Sequence, residues 1–216
     1  MSKRVCVVLA GCGVYDGSEI QEAVLTLLAL ERAGATVLTC APNHDQAHVI
    51  NHLSGDVMDE TRNVLVESAR IVRGEITNLA EVTADDFDAL VFPGGFGAAK
   101  NLCDFAFTGT DMQVNEGVAR LVAESHASGK PIGFICISPT IAAKLIPGVR
   151  LTLGAACEAS EAAEAMGANH EVTDVSGCVV DAEHKVVSTA AYMLGPSVGQ
   201  VALGIDALVA EVLDLA

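Results

Sequence analysis

Gly133-Phe134-Ile135-Cys136-Ile137-Ser138-Pro139 is the stretch on which the fold turns. An apolar run that starts at Pro131 stops on a cysteine, and a serine and a proline follow at once. Such a run predicts a buried strand over Pro131–Cys136 and a helix over Pro139–Leu145. Ser138 suits the N-cap, and Pro139 suits the first helical position, where its fixed φ helps and its missing N–H costs little. Cys136 would then lie at a helix N-terminus, where the macrodipole and the unpaired N–H groups favour thiolate over thiol. Two readings of that cysteine stand side by side: a nucleophile at a strand–turn–helix elbow, or a buried, inert strand residue.

On both sides of this elbow, short β-branched runs alternate with helical patterns. Strands are expected at Val5–Ala10, Thr36–Ala41 and Ala89–Pro93, and helices at Ser18–Arg32, Arg62–Val72 and Asp111–Ala127. The C-terminal third adds a strand at Arg150–Leu153 and a helix near Glu158–Met166. A hairpin is expected from Cys178 to Ser188, and a last helix at about Ser197–Leu213. Alternation of this kind gives an α/β fold of three layers: a doubly wound, mostly parallel sheet with helices on both faces, some of the late strands running antiparallel. Repeats, low-complexity stretches and a linker are absent, so one domain over residues 1–216 is expected.

The composition excludes several functions. No run approaches the roughly 18 apolar residues that a membrane span needs, and the apolar stretch after Met1-Ser2-Lys3-Arg4 ends at Gly11 without a cleavage site of small residues. A net charge of −16 argues against nucleic acid and anionic membranes, which need clustered Lys and Arg, and leaves a small neutral substrate as the better fit. Seven cysteines, an odd and scattered set without C-x-x-C spacing, indicate a reducing cytoplasm. No metal and no cofactor are expected.

Three special loops fall at carboxyl ends of predicted strands: Gly11-Cys12-Gly13-Val14-Tyr15-Asp16-Gly17, Pro93-Gly94-Gly95-Phe96-Gly97 and Cys136-Ile137-Ser138-Pro139. Ligands bind at that edge in open α/β sheets. The first loop lacks G-x-G-x-x-G spacing, and no ribose-binding acid ends the second strand, so a dinucleotide site is not indicated. The second loop can be an oxyanion hole of backbone N–H donors or an ordinary turn. Ser18-Glu19-Ile20-Gln21 matches a capping box. In the helix that follows, Ile20, Ala23, Val24, Leu27 and Leu28 form the main apolar stripe, with Glu22 opposite, among Leu25, Thr26 and Ala29. A helix this apolar is covered on both sides, by the sheet and by a second subunit. Of the six histidines, only His170 lies where a third catalytic group would come from.

Taken together, Gly11–Ile20, Thr61-Arg62-Asn63-Val64-Leu65, Pro93–Leu102 and Ala191-Tyr192-Met193-Leu194 resemble the ElbB (ES1-like) branch of the PfpI superfamily. That superfamily includes the Parkinsonism-associated deglycase and shares the flavodoxin-like, class I glutamine-amidotransferase-like fold. The resemblance covers essentially the whole chain. It implies that Cys136 is the nucleophile, that Glu22 is its acidic partner, counted back from Ala33-Gly34, and that Gly95 and Ile137 supply oxyanion-hole N–H groups. Protease-like members carry His directly after the nucleophile, whereas this chain has Ile137, and no His lies near Thr152–Gly154. Peptidase and amidotransferase activities are therefore not expected. A Cys–Glu dyad suits glyoxalase III-like chemistry on a small dicarbonyl, glyoxal to glycolate, with related deglycase activity. A redox-sensing or regulatory protein that oxidises the same cysteine is the competing expectation.

Overall fold

The computed structural model describes residues 2–216; Met1, the start of the basic N-terminal stretch, lies outside them. The sheet grows from β1 (Arg4–Val8), which pairs in parallel with β2 (Thr36–Ala41) on one side and β4 (Ala89–Phe92) on the other. β2 is extended by the short β3 (Thr77–Asn78). β4 leads to β5 (Ile132–Ile135), and β5 to β9 (Val186–Thr189), both in parallel. The edge strand β8 (Val179–Asp181) pairs antiparallel with β9, as the late hairpin requires. Among the described residues the order is β3-β2-β1-β4-β5-β9-β8, and β6 (Arg150–Leu151) and β7 (Asn169–His170) form a separate parallel pair.

Period-two alternation divides the core between the two faces of the sheet. Cys6, Val8, Leu90, Phe92 and Phe134 point to one face, where they meet α3 (Phe96–Lys100), α5 (Glu116–Ala127) and α6 (Pro139–Leu145). There the Phe92 and Phe134 rings stack with centroids 5.1 Å apart. Val5, Val7, Leu9, Val91 and Ile135 point to the other, under α1 (Ile20–Arg32) and α8 (Val198–Leu215). Helices α2 (Val64–Ile71), α4 (Phe105–Thr108) and α7 (Glu158–Ala165) complete the layers.

Several expected boundaries move inwards. The helix expected from Arg62 starts at Val64 because the Asn63 side chain accepts from Val66 N and caps it there. The helix expected from Asp111 starts at Glu116 for the same reason, since Asn115 accepts from the N–H groups of Gly117 and Val118. The strand expected at Arg150–Leu153 ends at Leu151 and belongs to the small second sheet. Ser18 is not the N-cap of α1: its hydroxyl accepts from Ala10 N, and Glu19 takes the cap, its Oε2 accepting from Glu22 N at 2.6 Å.

The two faces of α1 are used differently. Its buried side chains are Glu22, Ala23, Thr26, Ala29 and Leu30, while Ile20 (44 %), Val24 (45 %) and Leu28 (36 %) stay exposed. The side that carries Glu22, opposite the main apolar stripe, faces in, and three residues of the stripe face outwards. The inner face takes small residues: Ala23, Thr26 and Ala29 admit close approach where bulkier side chains would not.

Candidate functional site

The strand order makes β1, β4 and β5 neighbours, all parallel, so the loops that leave their carboxyl ends must adjoin. Backbone hydrogen bonds then join the first two loops. Gly94 O accepts from Glu19 N at 2.9 Å, Val14 O from Phe96 N at 2.8 Å, and Gly17 O from Gly97 N at 2.9 Å. Gly95 makes this approach possible: it sits at φ 95°, and a Cβ there would lie 2.6 Å from Gly17 O. Gly94 faces the other way, where a Cβ would lie 2.7 Å from Glu22 Oε2 and against the Cys136 Cβ.

Cys136 is the turn itself. Its φ of 63° places it in the left-handed region, which costs a non-glycine residue on the order of 1–2 kcal/mol. Neighbouring bonds hold it there. Cys136 N donates to Thr189 O at 2.9 Å, and the Ser138 hydroxyl accepts from Ile135 N while lying 2.8 Å from Phe92 O and 2.9 Å from Ile135 O. Ser138 therefore ties the elbow to β4 and β5, and its side chain makes no cap bond to α6.

Glu22 is fully buried one turn into α1. Its Oε2 accepts from Gly94 N at 3.0 Å and its Oε1 from Tyr192 N at 3.2 Å, and Gly94 sets the carboxyl beside Cys136, since a Cβ on that glycine would meet both. The N–H groups of Gly95 and Ile137 lie near enough to oppose the rise of the Cys136 thiol. Three elements, α1, the loop between β4 and α3, and the turn between β5 and α6, thus bring together the four residues singled out in the sequence: Cys136, Glu22, Gly95 and Ile137.

Burial dominates the electrostatics. It pushes the Glu22 carboxyl up to about 8, helped by the charge of Glu19 and opposed by the bonds from Tyr192, Cys136 and Gly94. Burial and the Glu22 charge also raise the Cys136 thiol well above its ordinary value, against the Gly95 and Ile137 donors. This corrects the expectation of a thiolate-favouring helix end. Cys136 is 8 % exposed, and the cost of dehydrating an anion there outweighs two backbone donors.

The family model of DJ-1/PfpI matches residues 3–195. The chain belongs to the DJ-1/PfpI family. Over 98 % of its length it is 49 % identical to the mitochondrial ES1 protein homolog of Rattus norvegicus, 84 % of which is covered. It is also 49 % identical to a mitochondrial glutamine amidotransferase-like class 1 domain-containing protein of Homo sapiens, over 98 % of this chain and 83 % of that one. A solved isoprenoid biosynthesis protein with an amidotransferase-like domain from Ehrlichia chaffeensis superposes with a TM-score of 0.91 at 36 % identity, covering 99 % of this chain and 100 % of that one. These relatives place the chain in the ES1-like, ElbB-like branch of the family and establish its flavodoxin-like, glutamine-amidotransferase-like architecture.

Against that family background, the histidines are engaged elsewhere. His44 bonds the Asp45 and Asn101 carbonyls, and His52 bonds the Ile50 carbonyl beside Asp16. His184 pairs with Asp181 and stacks on His126, and the His48 ring meets Phe107 edge-on. His170, the expected source of a third group, lies on β7 in the second sheet, and its Nε2 is buried without a partner. Among the described residues, no histidine hydrogen-bonds Cys136 or Glu22. Sequence reasoning missed Tyr192, whose backbone N–H holds the carboxyl. Ala191, at φ 42°, turns the chain to present that N–H. A backbone donor leaves no side-chain signature; the only trace was Ala191-Tyr192-Met193-Leu194 in the family pattern.

Proposed function

We propose that the chain is a cofactor-independent glyoxalase of the glyoxalase III kind, converting glyoxal to glycolate, with related deglycase activity. The observation that carries this reading is the fully buried Glu22 carboxyl set beside Cys136, both packed against Gly94, with the N–H groups of Gly95 and Ile137 close by. As the sulfur adds to one aldehyde carbon, the Glu22 carboxylate takes the thiol proton and passes it to the new oxygen, which the N–H groups of Gly95 and Ile137 would stabilise, so that a neutral hemithioacetal forms and the carboxylate is free again. Glu22 takes the proton from the hemithioacetal carbon and delivers it to the neighbouring carbonyl through an enediol, leaving a thioester of glycolate. Water cleaves the thioester, releases glycolate and restores the thiol. A carboxyl with a pKa near 8 is matched to moving a proton both ways at neutral pH.

Without a histidine partner, acyl transfer as in a peptidase or an amidotransferase lacks its base.

We further propose that the chain acts as a single domain and as a homodimer, with the exposed Ile20, Val24 and Leu28 face of α1 as the contact. Among the described residues no helix is long and apolar enough to cross a membrane. The scattered free cysteines fit a reducing compartment such as the cytoplasm, although the named relatives are mitochondrial. Turnover of glyoxal by purified protein without added thiol, followed as glycolate over many cycles, tests the central reading. A single stoichiometric reaction of Cys136 that then stops would overturn it.

A further inference from the structure

The chain that leaves β9 holds both members of the buried pair. Thr189 O, at the end of the strand, accepts from Cys136 N at 2.9 Å, and three residues on Tyr192 N donates to Glu22 Oε1 at 3.2 Å. Between them Ala191 is buried at a φ of 42°. An alanine in the left-handed region is strained, and it stays there only where its surroundings over-determine it. Met193 N donates to Ala190 O at 2.9 Å and Gly195 N to Ala191 O at 2.8 Å, bonds that close the turn on itself without fastening it to α1.

Among the described residues, the hydrogen bonds from this turn to α1 are both made by Tyr192. Its N–H meets Glu22, and its hydroxyl donates to the side-chain oxygen of Gln21. Consecutive helical residues point about 100° apart, so one residue grips α1 on two faces, the buried Glu22 and the exposed Gln21. At 3.2 Å the inner bond is at the long end of the N–H···O range, and a small outward movement of the turn would break it. The titratable groups that act on Glu22 are Glu19 on α1, the Cys136 thiol at the β5–α6 turn and the Tyr192 phenol. Among the described residues, no cation lies within 4.0 Å of its carboxyl. Backbone donors therefore hold its charge, and the Tyr192 N–H opposes burial more than any other group. Burial and the charges of Glu19 and Glu22 raise the Tyr192 phenol, so it keeps its donor hydrogen at neutral pH.

We infer that Tyr192 is a positioning residue: its hydroxyl bond to Gln21 clips the turn after β9 to α1 and so keeps the Tyr192 N–H on the Glu22 carboxyl. Its part in turnover rests on the dicarbonyl reading; the clip itself is a property of the fold. With the clip released the turn moves off, the carboxylate loses its main donor, and Glu22 binds its proton more tightly still.

The test titrates that carboxyl directly, by carbon-13 NMR of the full chain labelled at glutamate, with the Glu22 signal assigned by its loss in Glu22→Gln. Tyr192→Phe removes only the hydroxyl, and Gln21→Met removes the acceptor at an exposed position. Against a wild-type midpoint of about 8, each should titrate higher by about half a pH unit or more. The double variant should titrate no higher than the single ones, because all three lack the same bond. The rise of kcat/KM for glyoxal should move to higher pH by the same amount. An unchanged midpoint in Tyr192→Phe would overturn the inference, and so would shifts that add in the double variant, since Tyr192 and Gln21 would then act separately. If no form turns glyoxal over while the midpoints move together, the enzymatic reading fails and the clip stands.

Discussion

At the scale of single residues, the chemistry rests on a carboxyl and a thiol that both hold their protons more tightly than they would in water. Glu22 has an ordinary value of 4.5 and a folded value of about 8. Below the lower value, the folded and unfolded chains both carry this proton; between the two, only the folded chain does. The contribution of Glu22 to stability is therefore greatest in acid and is lost as pH rises towards 8, at about 1.4 kcal/mol per pH unit. Urea unfolding from pH 5 to 8 should show wild-type stability falling relative to Glu22→Gln, and a constant difference between the two would contradict a raised carboxyl. The same pair should govern the rate, with kcat/KM rising through about pH 8 as the site loses its first proton, a value that belongs to the pair. Glu22→Gln should cut turnover by about 10²–10⁴-fold. Cys136→Ser should abolish it with the circular dichroism spectrum unchanged, because serine is nearly the same shape but its hydroxyl is a far weaker acid and nucleophile than a thiol. Near-wild-type turnover in the serine variant would remove Cys136 from the mechanism.

At the scale of elements, the site is made by loops pressed together at a sheet edge, and glycines set how closely they approach. Gly97 opens the first turn of α3 directly over Gly17: a Cβ there would lie 2.6 Å from Gly17 O and closer still to the Gly17 Cα. Gly97→Ala should destabilise the fold by about 1–3 kcal/mol and lower turnover by displacing Gly95; a thermal midpoint equal to wild type would show that the loops have room. Glu19, as N-cap of α1, holds the N–H of Glu22 itself. Glu19→Ala should cost about 1 kcal/mol, whereas Glu19→Gln keeps an acceptor oxygen and should cost less. These elements also show how much the sequence could reveal. The parallel sheet, the order of its helices and the Cys136 elbow were legible because each leaves a local pattern: β-branched runs, a serine and a proline after a cysteine, glycines after strands. Which face of α1 meets the sheet was left open, because it depends on how close the sheet lies, and that is fixed by strands far away in the chain. The Tyr192 N–H, the Ser138 tie between β4 and β5 and the raised thiol were hidden for a similar reason. Each follows from burial, and burial is a property of the assembled layers.

At the scale of the whole molecule, the outward face of α1 links the fold to its assembly. Ile20, Val24 and Leu28 recur at spacings of four and remain more than a third exposed on a helix whose inner side carries the buried Glu22 carboxyl. Scattered apolar residues are ordinary on a surface, but three in register along one helix form a continuous ridge. Ile20 adjoins Gln21, whose side chain meets the Tyr192 hydroxyl beside the site, so a subunit seated on this ridge would lie next to that contact. With a net charge of −16 on each chain, two copies repel at long range, and the contact must gain its stability from apolar area, at roughly 25 cal/mol per Å². Sedimentation at micromolar concentration should therefore give twice 22.2 kDa for the wild-type chain, and dissociation should be promoted by low salt. Val24→Glu sets a charge in the middle of the ridge without touching the buried side of α1. It should run at 22.2 kDa with an unchanged far-ultraviolet spectrum. A wild-type chain that sediments as a monomer, or a Val24→Glu dimer as tight as wild type, would mean that the ridge is not the contact.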